Sequence, residues 1–419
     1  MMFALLLAVA FAAPKHVLTF LYYNQSFGAT AVNAKVSAQF MAAHADFVET
    51  SGFNNDAVNA FKMAGGRFAG TYVDPTYVPY CVPPFVPQAG RCAGQIGNLD
   101  PREDAWLHDS RGARVHRADS YTKQYQEFLN PASAAAQQAV VQWMKGYLTK
   151  SPALDFFFVD DTGSTFGGPD GTPRSGMFYG FNAVATEIVS DAAWIAGENA
   201  LISVEPRKVI LNGGDGFGPA YDGAFLKNAN VAGANHEGCF NAAPRGKVSD
   251  ASGVWRNQAD GLLADLPFRK YSVCMMNGPP TPANRLYAIA SWWLTYDPNY
   301  SVIAPIAPAA DGNALFAEYD IVPFGPKTSA TGGRILSLKR SGVYVREFAQ
   351  CFQNGMAIGA CAAVVNPASS PRAVPSLSGH YTRALALNDA SAVSGGRALW
   401  KLHAYLGTLG PVQALILKQ

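Results

Sequence analysis

The stretch LDFFFVDDTGST, residues 154–165, runs a block of phenylalanine and valine directly into two aspartates. Apolar side chains occupy both alternations of the block, which is typical of a β-strand covered on both faces, as in a parallel sheet flanked by helices. Carboxylates need water or polar partners, so the two aspartates are expected where the strand ends. We therefore predict a buried strand that delivers Asp160 and Asp161 to a cleft.

Seven more runs are short, apolar and rich in Val, Ile, Phe and Tyr, and they cover residues 16–24, 45–51, 67–75, 208–214, 230–238, 271–278 and 300–306. Helical periodicity fills several intervals between them, at residues 132–150, 177–201 and 281–297. Eight strand–helix units within residues 14–319 predict an α/β fold, the (β/α)8 or TIM barrel. The alternative is an open doubly wound sheet, which would need a glycine-rich phosphate turn after its first strand; NQSFGAT does not match one.

Two segments differ from this pattern. Residues 320–419 hold short alternating runs separated by Gly, Pro and Asn, which predict a smaller C-terminal all-β sandwich. Residues 76–131 form a long insertion rich in aromatic residues. An insertion of this length is usually functional, although it could simply be a flap that covers the core.

Composition limits the classes of partner. Charged residues make up 15% of the chain and the formal net charge is +2, with no basic stripe, so a nucleic-acid partner is not expected. Residues 1–13 resemble the apolar core and cleavage site of a signal peptide without its positive start; a trimmed or mis-started N-terminus is the alternative. The stretch is shorter than the roughly 20 residues of a membrane span.

The six cysteines agree with export, because close cysteine pairs suit an oxidising compartment. Cys81 and Cys92 flank one loop, and Cys351 and Cys361 flank a hairpin whose turn is predicted at Asn354-Gly355. Cys239 and Cys274 remain as the third pair, although six cysteines allow about 15 connectivities. The predicted location is therefore secreted or periplasmic.

Active sites of (β/α)8 barrels lie at the carboxyl ends of the strands, so the polar residues there are the candidates. The nominated residues are Tyr23, Asn24, Glu49, Tyr72, Asp74, Asp160, Asp161, Asn212, His236, Glu237 and Asn277. Carboxylates and amides at one mouth are typical of a sugar-cleaving site. The histidines show no HxH or HExxH spacing, so neither a metal nor a cofactor is predicted.

Each candidate also has a structural interpretation. The paired aspartates could form a turn, and strand alternation allows only one of them to face the barrel axis. Glu49 and Asp74 could equally be structural. Glu237 lies on a mostly apolar strand beside His236, where a solvated surface charge is not expected.

The chain resembles glycoside hydrolases such as the endo-dextranases, the polygalactosaminidases and related glycosidases. The similar stretches are LDFFFVDDTG, the segment LNPASAAAQQAVVQWM, in which LNP precedes a helix, and GVYVREFAQC with AAVVNPAS in the C-terminal region. The resemblance implies that Asp160 is the nucleophile of a retaining enzyme and Glu237 its acid/base. The chain departs from the family motif at Phe156, where relatives usually have glycine.

The resemblance and the strand-end residues together predict a secreted glycoside hydrolase that cleaves a poly- or oligosaccharide with two carboxylates. Retention and inversion both remain open. The alternative from another class is a non-catalytic carbohydrate-binding barrel; a metal-dependent hydrolase is disfavoured by the histidine spacing.

Overall fold

The computed structural model describes residues 14–23, 38–50, 55–75, 77–80, 102–118, 125–162, 190–212, 223–242, 246–251, 253–305, 315–390, 397–403 and 407–419. The predictions for residues 1–13, for Asn24 and for the Cys81–Cys92 pair lie outside these residues. No helix in the described ranges combines the length and apolarity needed to cross a membrane.

Strands and helices alternate through the first three quarters of the chain. In order they are β1 (Leu18–Tyr23), α1 (Ala38–His44), β2 (Phe47–Thr50), α2 (Asn55–Met63), β3 (Phe68–Val73), β4 (Tyr77–Tyr80), β5 (His116–Ala118), β6 (Tyr125–Phe128), α3 (Ala134–Lys150), β7 (Phe156–Val159), α4 (Asp191–Val204), β8 (Lys208–Asn212), β9 (Val231–Glu237), β10 (Asn241–Ala242), β11 (Gly246–Lys247), α5 (Val254–Asp265), β12 (Tyr271–Met276), α6 (Pro282–Trp293) and β13 (Ser301–Pro305).

Eight of these strands close into a parallel barrel in the order β1-β13-β12-β9-β8-β7-β3-β2. They are the eight apolar runs of the sequence, so the TIM-barrel prediction is confirmed and the open-sheet alternative is wrong. The insertion between β3 and β7 contributes a separate antiparallel sheet of order β4-β6-β5.

Strand β7 shows why both of its alternations are apolar. Phe156 and Phe158 point into the barrel, where they join Phe20 and Phe47 in one buried cluster. Phe157 and Val159 point outward into the layer between barrel and helices. Burial of each such side chain contributes about 1.5–3 kcal/mol, so a polar residue within β7 would be costly on either face.

The regular structure of the C-terminal region is mostly β strands, as predicted. They are β14 (Ile321–Pro326), β15 (Lys339–Arg340), β16 (Val343–Gln353), β17 (Met356–Asn366), β18 (Arg372–Ala373), β19 (Arg383–Ala386), β20 (Leu399–Leu402), β21 (Thr408–Leu409) and β22 (Gln413–Lys418). One antiparallel sheet has the order β14-β16-β17-β22-β19-β20, with β15 pairing to β16. One face of this sheet shares a buried cluster with α6, and the β18–β21 pair contributes to the cluster on the other face.

Two predicted disulfides are present, Cys239–Cys274 and Cys351–Cys361. The second lies across the β16–β17 hairpin, whose turn is formed by Asn354 and Gly355 as predicted. Both turn residues have positive φ, 51° and 76°, a combination that Asn-Gly favours.

A buried carboxyl lies outside the barrel. Glu205 follows α4, is 6% exposed, and lines a small, mostly apolar cavity with Trp194 and Leu201. Among the described residues, neither of its carboxylate oxygens has a hydrogen-bond partner, and burial raises the pKa of Glu205 well above its usual value. Above the ordinary pKa of a glutamate, Glu205 is ionised in the unfolded chain but still protonated in the folded protein. The free energy of unfolding therefore falls as the pH rises through this range.

We expect Glu205→Met to raise the free energy of unfolding by about 1–3 kcal/mol at pH 8, with a much smaller gain near pH 4. Urea denaturation across this pH range measures the difference. Asp389→Asn is the control, because it removes an exposed carboxyl and should leave the pH profile unchanged. A gain for Glu205→Met that does not vary with pH would contradict the prediction.

Candidate active site

The two aspartates after β7 differ in backbone conformation. Asp160 continues the inward alternation of Phe156 and Phe158, so it faces the barrel mouth. Asp161 is 4% exposed and has φ 55°, a left-handed conformation that Asp adopts more readily than most residues. Asp160 is thus the aspartate that continues the inward face of β7, and Asp161 lies in the turn that follows the strand.

The carboxylate of Asp160 accepts three hydrogen bonds. The Tyr72 hydroxyl donates to Oδ2 at 2.5 Å, and the Asn212 side-chain amide donates to Oδ1 at 2.6 Å. The backbone N–H of Asp161 also donates to Oδ1, at 2.9 Å. Three donors suit an ionised carboxylate, which can only accept, and they fix its orientation at the end of β7.

Glu237 reaches the same place from the end of β9. The Asn212 amide nitrogen lies 3.5 Å from its Oε2, and the Asn277 amide nitrogen lies 3.5 Å from its Oε1. Because the nitrogen of Asn212 contacts oxygens of both carboxylates, those two oxygens are no more than about 6 Å apart. The carboxylates of Asp160 and Glu237 therefore converge at one rim of the barrel.

Asn235 belongs to the same cluster, although the sequence analysis did not nominate it. It lies two residues before Glu237 on β9, and its amide donates to Oδ1 of Asn212 at 2.6 Å. It thereby orients the Asn212 amide towards the carboxylates. The signal that could have identified it is the shared strand face of residues two apart. Together, Tyr72, Asp160, Asn212, Asn235, Glu237 and Asn277 form what we call the rim cluster.

Glu49 and Asp74 lie in the same half of the barrel and are buried. Glu49 alternates with the inward-facing Phe47 on β2, and Asp74 follows β3 with the alternation of Tyr72. Both carboxyls thus face the interior. Their predicted binding roles stay predictions.

One nominated residue, His236, is not brought to the rim cluster. His236 points outward from β9, where its Nε2 lies 2.5 Å from Oδ2 of Asp265 on α5 in a fully buried pair. Strand alternation thus places the side chain of His236 behind the wall of the barrel, which does not fit its predicted binding role. Asp161 is buried in the turn after β7, and its predicted binding role stays a prediction.

Tyr23 ends strand β1 at the correct rim, and its side chain, like Asn24, lies outside the described residues. Glu237 was expected among apolar neighbours, and that expectation is wrong: its side chain is exposed at the end of an otherwise largely buried strand. Across the described ranges, no group of three or more His, Cys, Asp or Glu side chains could hold a metal ion.

No protein-family model matches the sequence, and no curated protein matches it. Among solved structures, the glycoside hydrolase domain of PelA from Pseudomonas aeruginosa is 13% identical, with a TM-score of 0.41 over 70% of this chain and 96% of that one. An isomalto-dextranase from Arthrobacter globiformis T6, complexed with panose, is 11% identical, with a TM-score of 0.45 over 97% and 74%.

A family GH13_31 enzyme is 11% identical, with a TM-score of 0.47 over 96% of this chain and 99% of that one. At these identities and TM-scores, the likenesses carry no argument about chemistry. The rim cluster is therefore the observation that supports a function.

Proposed function

We propose that this protein is a glycoside hydrolase that cleaves a poly- or oligosaccharide with Asp160 and Glu237. One observation carries the proposal: the Asn212 amide contacts both carboxylates, which brings them within about 6 Å of each other at an exposed rim. Hydrolysis of a glycosidic bond needs two carboxyl groups at about this separation, one at the anomeric carbon and one at the leaving oxygen.

The surroundings of the two groups favour different roles. Asp160 is fixed by three donors, as a nucleophile must be to attack one carbon atom along one line. Glu237 is exposed, and among the described residues its carboxyl has two long amide contacts, so it can reach a leaving oxygen and afterwards a water molecule. We therefore assign Asp160 as nucleophile and Glu237 as acid/base.

The reaction has two steps under this assignment. An oxygen of Asp160 bonds to the anomeric carbon while the glycosidic C–O bond breaks, and Glu237 gives its proton to the departing oxygen. Water then gives a proton to Glu237 and attacks the anomeric carbon, which releases Asp160. Because each of the two displacements inverts the configuration of the anomeric carbon, the product has the same configuration as the substrate.

We expect hydrolysis of at least one member of a polysaccharide panel, with a first-formed product of retained anomeric configuration. Proton NMR of the anomeric signals during the first minutes of reaction measures the configuration. A product of inverted configuration would contradict this assignment. It would mean that one carboxyl acts as an acid and the other as a base through a water molecule, which needs a separation of roughly 6.5–9.5 Å between the two carboxyls. Binding of saccharides without any hydrolysis would identify a carbohydrate-binding barrel instead.

We also propose that the protein works in an oxidising compartment, secreted or periplasmic. Support comes from Cys239–Cys274 and Cys351–Cys361, whose sulfur atoms are buried and bonded. Disulfides of this kind persist outside the cytosol. Carbohydrate polymers in the surroundings of the cell are accessible to an enzyme in that location.

A further inference from the structure

The position of Glu237 depends on the main chain behind it. Its carboxyl is exposed, and its contacts with Asn212 and Asn277 are both 3.5 Å long. Contacts at that distance hold a long side chain weakly. Whatever fixes the end of β9 and the turn after it therefore decides where the carboxyl lies.

The turn after Glu237 has an unusual backbone. Gly238 has φ 70° and Phe240 has φ 56°, so two residues in three are left-handed. A left-handed conformation is unfavourable for a bulky residue such as Phe, and it persists only where neighbouring groups impose it. The turn must therefore be held by contacts outside its own sequence.

Gln258 on α5 supplies those contacts. Its Nε2 donates to the carbonyl oxygen of Gly238 at 3.0 Å, and its Oε1 accepts from the N–H of Phe240 at 2.9 Å. The side chain is only 5% exposed, so one buried amide satisfies both a donor and an acceptor of the turn.

Two further anchors hold residues on either side of Glu237. On one side, His236 is paired with Asp265, also on α5. On the other, Cys239 is bonded to Cys274, and its N–H donates to the carbonyl oxygen of Met275. His236 and Cys239 are thus tied to the outer wall, and Gln258 bonds the backbone on both sides of Cys239.

We propose that Gln258 is a positioning residue that holds the carboxyl of Glu237 against the Asn212 amide. The proposal rests on the proposed role of Glu237 as the acid. Without the Gln258 amide, the buried oxygen of Gly238 and the buried N–H of Phe240 lose their partner, and the turn relaxes to satisfy them. A displacement of about 1 Å at a reacting group can cost 10²-fold in rate.

Gln258→Met tests this, because methionine fills a similar volume without hydrogen bonds. We expect kcat/KM for a natural oligosaccharide to fall by about 10–100-fold. For the 4-nitrophenyl glycoside of the same sugar we expect less than about a 3-fold fall, since a good leaving group needs little protonation. Equal losses on both substrates would overturn the proposal, because loss of folded enzyme affects both alike.

Ser291→Ala is the matched control. Ser291 on α6 is fully buried and accepts from the indole N–H of Trp255, so its loss removes one buried hydrogen bond from the same helix α5. The control should show no dependence on the leaving group. If it reproduces the selective loss, general loosening of α5 accounts for the result and the proposal fails.

Crystal structures of wild type and Gln258→Met give a readout that does not need activity. We expect the Glu237 carboxyl to leave the Asn212 amide while the bond from Asn212 to Asp160 remains at 2.6 Å. An unmoved Glu237 overturns the positioning role even in an inactive protein, whereas a wild type without hydrolysis overturns only the proposed function. Gln258→Glu, which keeps an acceptor for Phe240, is compared in the same way if the methionine variant does not fold.

Discussion

Replacing Asp160 with asparagine is expected to lower kcat for glycoside hydrolysis by about 1,000-fold or more, with the fold retained. Asparagine has the shape of aspartate and keeps an oxygen that accepts from the Asn212 amide at the present 2.6 Å position. It cannot form the glycosyl ester, so the first displacement is lost. Initial rates on the substrate found in the panel measure the effect, and circular dichroism checks the fold.

Asp161→Asn is the internal control for this result. The two aspartates are adjacent, but the hydrogen bonds from Tyr72 and Asn212 go to Asp160, and asparagine tolerates the φ of 55° at Asp161 as well as aspartate does. We expect its activity to stay within about 5-fold of wild type. If the two variants lose activity equally, or if Asp161→Asn alone is inactive, the nucleophile has been assigned to the wrong carboxylate.

Glu237→Gln should separate the two roles. Loss of a positioned acid typically costs about 10²–10⁴-fold, less than loss of the nucleophile. The loss should be concentrated on substrates with poor leaving groups, as for Gln258→Met.

The strands of the barrel could be predicted from the sequence because each is covered on both faces. Burial on both sides imposes a continuous apolar run, and a run such as FFFV is visible without knowing what covers it. The barrel then follows from the number of runs and the helical segments between them. The end of the barrel that holds the candidate site can be predicted as well, because the carboxyl ends of all eight strands lie at the same end of the barrel.

Side-chain direction on β9 could not be predicted, and the reason is one irregularity. Val231 and Ala234 both pack in the layer against the helices, although regular alternation would place residues three apart on opposite faces. A register shift in the β8–β9 pairing, between Val209 and Ile210, explains this. The shift turns Asn235 and Glu237 inward and His236 outward. Periodicity counted from Val231 would give the opposite result.

The bridging role of Asn212 could not be predicted from the sequence either. An asparagine at the end of a strand is compatible with a turn, a cap or a ligand contact. Only the position of β8 between β7 and β9 places its amide between the carboxylates of Asp160 and Glu237. The topology of a barrel shows which strands are neighbours. The distance between two catalytic side chains on them also depends on the stagger of the strands.

Breaking the ion pair of Arg285 and Glu318 is expected to have the largest effect on stability. Arg285 on α6 donates from Nε to Glu318 at 2.7 Å and from Nη2 to the carbonyl oxygen of Asn388, in the C-terminal β region, at 2.7 Å. Its guanidinium also lies 3.8 Å from the ring centroid of Phe316. Both charged side chains are almost completely buried, so the guanidinium joins the barrel to the β domain.

We expect Arg285→Met to lower the free energy of unfolding by about 3–5 kcal/mol, because it leaves the carboxyl of Glu318 buried without its cation. Arg334→Met is the control: it breaks an ion pair with Asp260 in which the arginine is 63% exposed, and should cost less than about 1 kcal/mol. Urea denaturation of both variants measures the two costs. Equal costs would mean that burial of the Arg285 pair has no special consequence.

The pH dependence identifies the cause. Burial raises the pKa of Glu318 above its usual value, and Arg285 opposes that rise. In Arg285→Met the opposition is gone, so the folded protein binds a proton that the unfolded chain releases, and stability falls as the pH increases. The deficit relative to wild type should therefore be larger at pH 8 than at pH 5. Adding Glu318→Gln to Arg285→Met should remove this pH dependence and restore part of the stability; a deficit that persists unchanged would trace the loss to packing around Phe316.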